Sequence, residues 1–203
     1  MKIIIALIIF AASSVYAAQP DFIKECMDCH GPNGISLHKD LPTIAGASPY
    51  FIEATFAAYK YDLRKEVESE YRFGDMSRKS TNMVEIAKKL TDAQVQEAAK
   101  FFSRQMFIPA KQEFNAELVN KGEKLHLMKC EKCHTKGGSS AMQDAPILAG
   151  QWTPYLQNAV AMILDEARDV DERMARTVKQ LTKDEWAALF AFYASQQDPP
   201  SVK

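Results

Sequence analysis

Two short stretches carry side chains spaced for chemistry: Cys26-Met27-Asp28-Cys29-His30 and Cys130-Glu131-Lys132-Cys133-His134. Each reads C-x-x-C-H, the attachment pattern of a c-type haem. Two thiols three residues apart reach the vinyl groups on one edge of a porphyrin and close thioether bonds. The histidine that follows falls beneath the ring, where its imidazole becomes an axial ligand of the iron. All four cysteines of the chain sit in these two motifs. A disulfide framework would leave both adjacent histidines without a reason, so the pattern reads as two covalently bound haems c.

An iron held by histidine on one face needs a ligand on the other, and a thioether sulfur suits haem iron and raises its potential. Comparing the chain with itself narrows the choice. Cys26 and Cys130 lie 104 residues apart, and at that offset Pro42-Thr43-Ile44-Ala45-Gly46 falls on Pro146-Ile147-Leu148-Ala149-Gly150. One residue later in register, Pro49-Tyr50-Phe51 falls on Pro154-Tyr155-Leu156. The offset then drops to 91, where the run from Met83 to Thr91 matches the run from Met174 to Thr182. The chain is a duplication.

Met83 and Met174 occupy equivalent places, each eight residues before a helix-capping threonine, which selects them as axial ligands beside His30 and His134. Met76 remains an alternative in the first half, as do Met142 and Met162 in the second. Pro42 and Pro146, each twelve residues past a motif histidine, are suited to offer a carbonyl to the second ring nitrogen and so fix the imidazole. Tyr50, Tyr155 and Trp152 carry polar groups that either meet haem propionates or only pack. His38 and His126 stand in no metal spacing, and neither is assigned as a ligand.

The elements that must hold these residues are helical. Thr91 with Gln94, and Thr182 with Glu185, are capping boxes that satisfy free N–H groups at a helix start. Behind them Val95, Ala98, Ala99 and Phe102 keep helical spacing, as do Trp186, Leu189, Phe190 and Tyr193. Further helices are expected from Pro49 and Pro154, proline being favoured in a first turn, and over Asn115–Lys129 before the second motif. The first half has only Pro20–Glu25 in the corresponding place, so its opening helix is shorter. No stretch alternates with period two, and the fold class is all-α. From Tyr50 to Met83 is 33 residues, against 19 from Tyr155 to Met174. The excess, placed at about 62–75, is strongly charged and reads as a solvated helical extension or, functionally, as a partner-docking element beside the first haem.

The 203 residues, with 25 basic and 26 acidic side chains, give no basic excess that would suit nucleic acid. Residues 1–18 begin with Met1-Lys2, run apolar for about ten residues and end in small ones, the form of a cleaved secretory signal peptide rather than of a bilayer span. The mature protein is therefore expected to be exported to the periplasm and not to be an integral membrane protein. The organisation expected is a first domain over 19–106, a linker over 107–113 where Pro109 breaks the helical run, and a second domain over 114–203.

Two C-x-x-C-H motifs, two P-x-x-A-G loops and a methionine eight residues before a capped helix in each half resemble the di-haem cytochrome c4 family, two class I cytochrome c domains in tandem. Within it, Lys121–His126, Cys130–His134, Leu148–Leu156 and Phe192–Gln196 are most similar to the cytochrome subunit of flavocytochrome c sulfide dehydrogenase. The resemblance implies that Cys26, Cys29, Cys130 and Cys133 hold the haems, with His30/Met83 and His134/Met174 as axial pairs. It also implies an FAD-bearing, sulfide-oxidising flavoprotein partner and a soluble acceptor such as another cytochrome. With both faces of each iron filled there is no open position for a substrate, so the expected role is electron transfer. The alternatives are a free c4-type carrier feeding a terminal oxidase and a di-haem enzyme such as a peroxidase or thiosulfate dehydrogenase, which needs an open or unusually ligated iron.

Overall fold

The computed structural model describes residues 20–198, in which eight α-helices and no extended strands are found. Four precede the central connection: α1 (Asp21–His30), α2 (Pro49–Lys60), α3 (Met83–Lys89) and α4 (Asp92–Ser103). Four follow it: α5 (Ala116–Lys129), α6 (Thr153–Leu164), α7 (Glu172–Gln180) and α8 (Lys183–Ser195). The expected signal peptide lies outside the described residues. Among the described residues no helix is long and apolar enough to cross a membrane.

Local chemistry accounts for most helix starts. Both capping boxes form, Thr91 with Gln94 ahead of α4 and Thr182 with Glu185 ahead of α8. Ser48, Asn82, Asn115 and Asp171 each accept a backbone N–H at the starts of α2, α3, α5 and α7, as short polar side chains do at this position. Pro49 and Pro154 sit in the first turns of α2 and α6.

Each half closes on its last helix. In the first, Ile23 meets Ala98, Ala99 and Phe102 of α4, together with Phe56 and Ile86. In the second, Leu125, Leu156, Ala188, Leu189 and Phe192 form the equivalent core. The crossing of α5 over α8 is unusually close because Gly122 meets the backbone of Ala188. A Cβ at Gly122 would lie 2.0 Å from the Ala188 carbonyl oxygen.

The duplication continues further than the motifs alone suggest. In both halves the helix after the proline loop ends on a residue in the left-handed region, Asp62 (φ 59°) and Glu166 (φ 57°), as helix ends commonly do. The Ala58 carbonyl then accepts the N–H groups of Leu63 and Arg64, and the Met162 carbonyl those of Ala167 and Arg168. These pairs are 104 residues apart, the same offset as the cysteines. The extra residues of the first half therefore enter after Arg64, not at Asp62.

The extra segment is not a helical extension. It is an irregular strap whose limbs meet at an isolated antiparallel bridge between Ser69 and Thr81. The strap folds back onto the first C-x-x-C-H motif. The Asp28 carbonyl accepts the N–H groups of Arg72 (2.7 Å) and Phe73 (2.9 Å), and the buried Asp28 carboxylate accepts from Arg78. The Arg78 guanidinium in turn lies 3.6 Å above the Tyr71 ring, and Tyr71 donates to Glu25 (3.0 Å). Sequence periodicity missed this because the segment is held by charges and backbone contacts far apart in the chain. Asp28→Ala should loosen the strap, at about 1.5–3 kcal/mol for a lost hydrogen bond between charged groups. The check is limited proteolysis: cleavage within 65–82 should accelerate, and an unchanged digestion pattern would mean that the strap is held elsewhere.

The halves are joined by polar contacts rather than by a loose linker. Gln151 grips Thr43 in both directions, accepting its N–H (2.9 Å) and donating to its carbonyl (2.9 Å). The Trp152 indole donates to the Ser36 carbonyl (3.0 Å). Two further bonds, Lys65 N–H to Ala167 and Asp169 N–H to Leu63 (2.8 Å each), flank an isolated antiparallel bridge between Arg64 and Arg168. The central connection packs against the second half at Gly150, which has φ +70° and where a Cβ would lie only 2.5 Å from that of Pro109.

Candidate haem-binding cleft

His30 is the last residue of α1, and His134 ends the turn that follows α5. Each ring is held as the spacing predicts: His30 Nδ1 lies 3.0 Å from the Pro42 carbonyl and His134 Nδ1 lies 3.1 Å from that of Pro146. A carbonyl only accepts, so Nδ1 carries the proton in both and Nε2 keeps its lone pair. Burial pushes both imidazoles below their ordinary range, against the pull of the carbonyl bond, so they stand as neutral ligands. The proline carbonyls are fixed in turn by a repeated loop closure. The Gly34 carbonyl accepts the N–H groups of Ile44 and Ala45, and that of Gly138 those of Leu148 and Ala149.

A cavity of about 340 Å³ runs along the junction of the halves. Its lining brings Cys26, Cys29 and His30 together with Met83 from α3, and with Tyr155, Met162, Arg168 and Met174 from the second half. Cys130, Cys133 and His134 lie off this lining, although His134 is as buried as His30. Among the alternative methionines, Met76 and Met142 are exposed, while Met162 is buried in the cavity wall. Burial, and next the nearby Glu25, push the Cys26 thiol up to about 12, so it stays protonated at neutral pH, the form that adds across a vinyl group.

The chemistry of this donor set fits haem c: paired free thiols, an oriented neutral imidazole, methionine sulfurs in the wall and a predominantly apolar cleft. The cleft also holds two arginines, one of which, Arg64, keeps its buried Nε without a hydrogen-bond partner in the protein. An anionic group such as a propionate suits that position. When bound, haem supplies one-electron chemistry at iron, and the protein's part is to orient and shield it.

Other polar groups have structural duties. Of the aromatic residues considered for propionates, Tyr50 is 66% exposed and stands outside the cleft's lining. The Trp152 N–H is committed to Ser36. Only Tyr155 reaches the cleft. His126 is fully buried, with Nδ1 at 2.9 Å from the Tyr193 hydroxyl and Nε2 at 2.7 Å from Glu131, so both nitrogens are engaged and it is not free to ligate. Glu131, inside the second motif, also accepts the N–H groups of Lys136 and Gly137 and so pins the turn that carries His134. His38 is half-buried, edge-on to Phe73 of the strap. Sequence reading missed Arg64 and Arg168. The signal was present, since the 104-residue offset maps one arginine onto the other.

Comparison with known proteins agrees with this architecture. The family model of cytochrome c oxidase, cbb3-type, subunit III, matches residues 117–192, from α5 into α8. Cytochrome c4 of Thiocapsa roseopersicina is 26% identical over 176 residues, 81% of this chain and 83% of that protein. The thiosulfate dehydrogenase electron acceptor of Stutzerimonas stutzeri (strain A1501) is 30% identical over 81 residues, 40% of this chain. That match spans about a third (32%) of the relative's length. Reduced recombinant cytochrome c4 from Pseudomonas stutzeri superposes with a TM-score of 0.68 at 21% identity, over 87% of this chain and 97% of that one. A chain with two haem-attachment motifs on this duplicated helical scaffold is thus a di-haem c-type cytochrome, an electron carrier on two covalently bound haems that is similar to cytochrome c4 over most of its length.

Proposed function

We propose that this cytochrome takes electrons one at a time from a flavoprotein that oxidises sulfide and passes them to a soluble acceptor such as another cytochrome. The first haem is held by Cys26 and Cys29 with His30 and Met83 on its iron, the second by Cys130 and Cys133 with His134 and Met174. The first unit occupies 19–106, the linker 107–113 and the second unit 114–203, with residues 1–18 removed on export to the periplasm. The observation that carries the electron-transfer reading is the matched pair of histidine–proline bonds, at 3.0 and 3.1 Å. Both rings are locked for permanent ligation, and a methionine stands in the cleft wall for each half. Irons filled on both faces exchange electrons rather than bind substrate.

The sulfide-oxidising donor rests on the likeness of the Lys121–His126, Leu148–Leu156 and Phe192–Gln196 segments to such cytochrome subunits. A second donor, a thiosulfate dehydrogenase, is favoured by the role of the Stutzerimonas relative as electron acceptor of such an enzyme. Purification from the native host separates them. A flavin-bearing chain should co-purify, and sulfide should bleach the oxidised haem spectrum of that fraction. Reduction by thiosulfate in a flavin-free fraction would replace the first donor with the second. A haem protein that purifies alone and responds to neither would be a free carrier.

A further inference from the structure

Arg64 and Arg168 are the two residues of this protein whose placement is hardest to explain from the polypeptide alone. They face each other across the isolated antiparallel bridge that joins the halves. The bridge is symmetric: Lys65 N–H bonds to Ala167 and Asp169 N–H bonds to Leu63, each at 2.8 Å, and each residue has its counterpart 104 positions along. A local two-fold axis therefore runs between the two arginines. Side chains directly opposite in such a pair lie close together, and like charges there repel.

Among the described residues no carboxylate offsets that repulsion; burial pulls the Arg64 guanidinium down, but the Tyr155 and Tyr59 phenols hold it above its ordinary value. Arg64 is 8% exposed, and neither guanidinium forms an ion pair with a carboxylate among the described residues. Their neighbours are aromatic. The Arg64 guanidinium lies 4.8 Å from the Tyr59 ring centre, and the Tyr155 phenol touches both arginines. Burial, then the facing Arg64, hold the Arg168 guanidinium below its ordinary value. Burial alone would raise the Tyr155 phenol, yet the two cations outweigh it and draw it down. All four side chains line the same cleft as His30, Met83 and Met174. Two cations side by side, Arg64 buried and Arg168 half-buried, with the Arg64 Nε left over, need anions to be stable, and guanidinium forks match carboxylates.

We propose that Arg64 and Arg168 form one cationic clamp, shared by the two halves, that holds propionate carboxylates of both haems and sets both reduction potentials together. This rests on haem attachment at both motifs. By symmetry neither arginine is private to its own half. Removing either positive charge leaves propionate charge uncompensated near both irons, favours the oxidised state of each, and lowers both potentials.

The test is a potentiometric titration of the haem-loaded protein, resolving both midpoints. Arg64→Gln and Arg168→Gln should each lower both reduction equilibrium constants by about tenfold, which is 59 mV for a one-electron couple. Arg64→Lys, which keeps the charge, should stay close to the parent. A shift confined to one haem, or no shift in a variant that retains two haems, overturns the proposal. Loss of a haem from the parent protein would instead overturn the attachment reading. Should a glutamine variant fail to load, a structure of the haem-loaded parent decides the matter, since the proposal requires carboxylates of both haems within hydrogen-bond distance of this pair.

Discussion

Met174→Ala is expected to open the second iron to external ligands and lower its potential. Met174 lies in the first turn of α7 and lines the cleft. Alanine is a better helix former than methionine, so α7 should survive and the lost sulfur should dominate the result. Axial ligands set haem potentials over a range of about 0.8 V, and exchanging thioether for water or nothing should cost on the order of 0.2 V of it. Cyanide or imidazole should then bind half of the haem, with a visible-band change that the parent does not show. The first half predicts the same for Met83→Ala, on the other haem. If the Met174 variant keeps its spectrum and potential, the sulfur on that iron comes from elsewhere, with Met162 next in the cleft wall.

The second large effect concerns the frame rather than the iron. Gly122→Ala places a methyl group 2.0 Å from the Ala188 carbonyl oxygen, a backbone atom on a helix that cannot yield without moving Leu189 and Phe192 out of the core. Overpacking of this kind typically costs about 1–3 kcal/mol or more, partly offset by roughly 1 kcal/mol from the better helix propensity of alanine. The 2.0 Å approach to a backbone atom puts the cost at the upper end of that range, so a net loss of about 2 kcal/mol should lower the melting temperature of the haem-loaded protein by about 4–8 °C, and Gly122→Leu should prevent the second unit from assembling. A Gly122→Ala melt within a degree of the parent would show that the crossing is looser than the structure has it.

Sequence symmetry made much of this architecture legible. The capping boxes, the proline starts of α2 and α6 and the bonds from His30 to Pro42 and from His134 to Pro146 all repeat, and repetition separates a signal from chance. What belongs to one copy only was obscure. The strap over 65–82 has no counterpart in the second half, and Asp28 gives no local hint that its partner is Arg78, fifty residues on. Gln151 and Thr43 are likewise joined only by the folded chain. Arg64 and Arg168 are a different case. They do repeat, but they fall outside the motifs, just where the register changes, so a charged pair at a helix end looks like surface. Their significance needs the cleft, which periodicity does not draw.

The two-way amide grip of Gln151 on Thr43 has one more consequence. Thr43 adjoins Pro42, whose carbonyl orients His30, while Gln151 adjoins Trp152, which is fastened to Ser36. The proximal scaffold of one redox centre is thus built partly from the other unit. The gap between the centres becomes a constant of the fold, and an electron crossing it waits on no hinge or diffusive encounter. Internal exchange is then expected to run at a pace indifferent to solvent viscosity, which would leave collision with outside proteins as the step that medium and concentration govern.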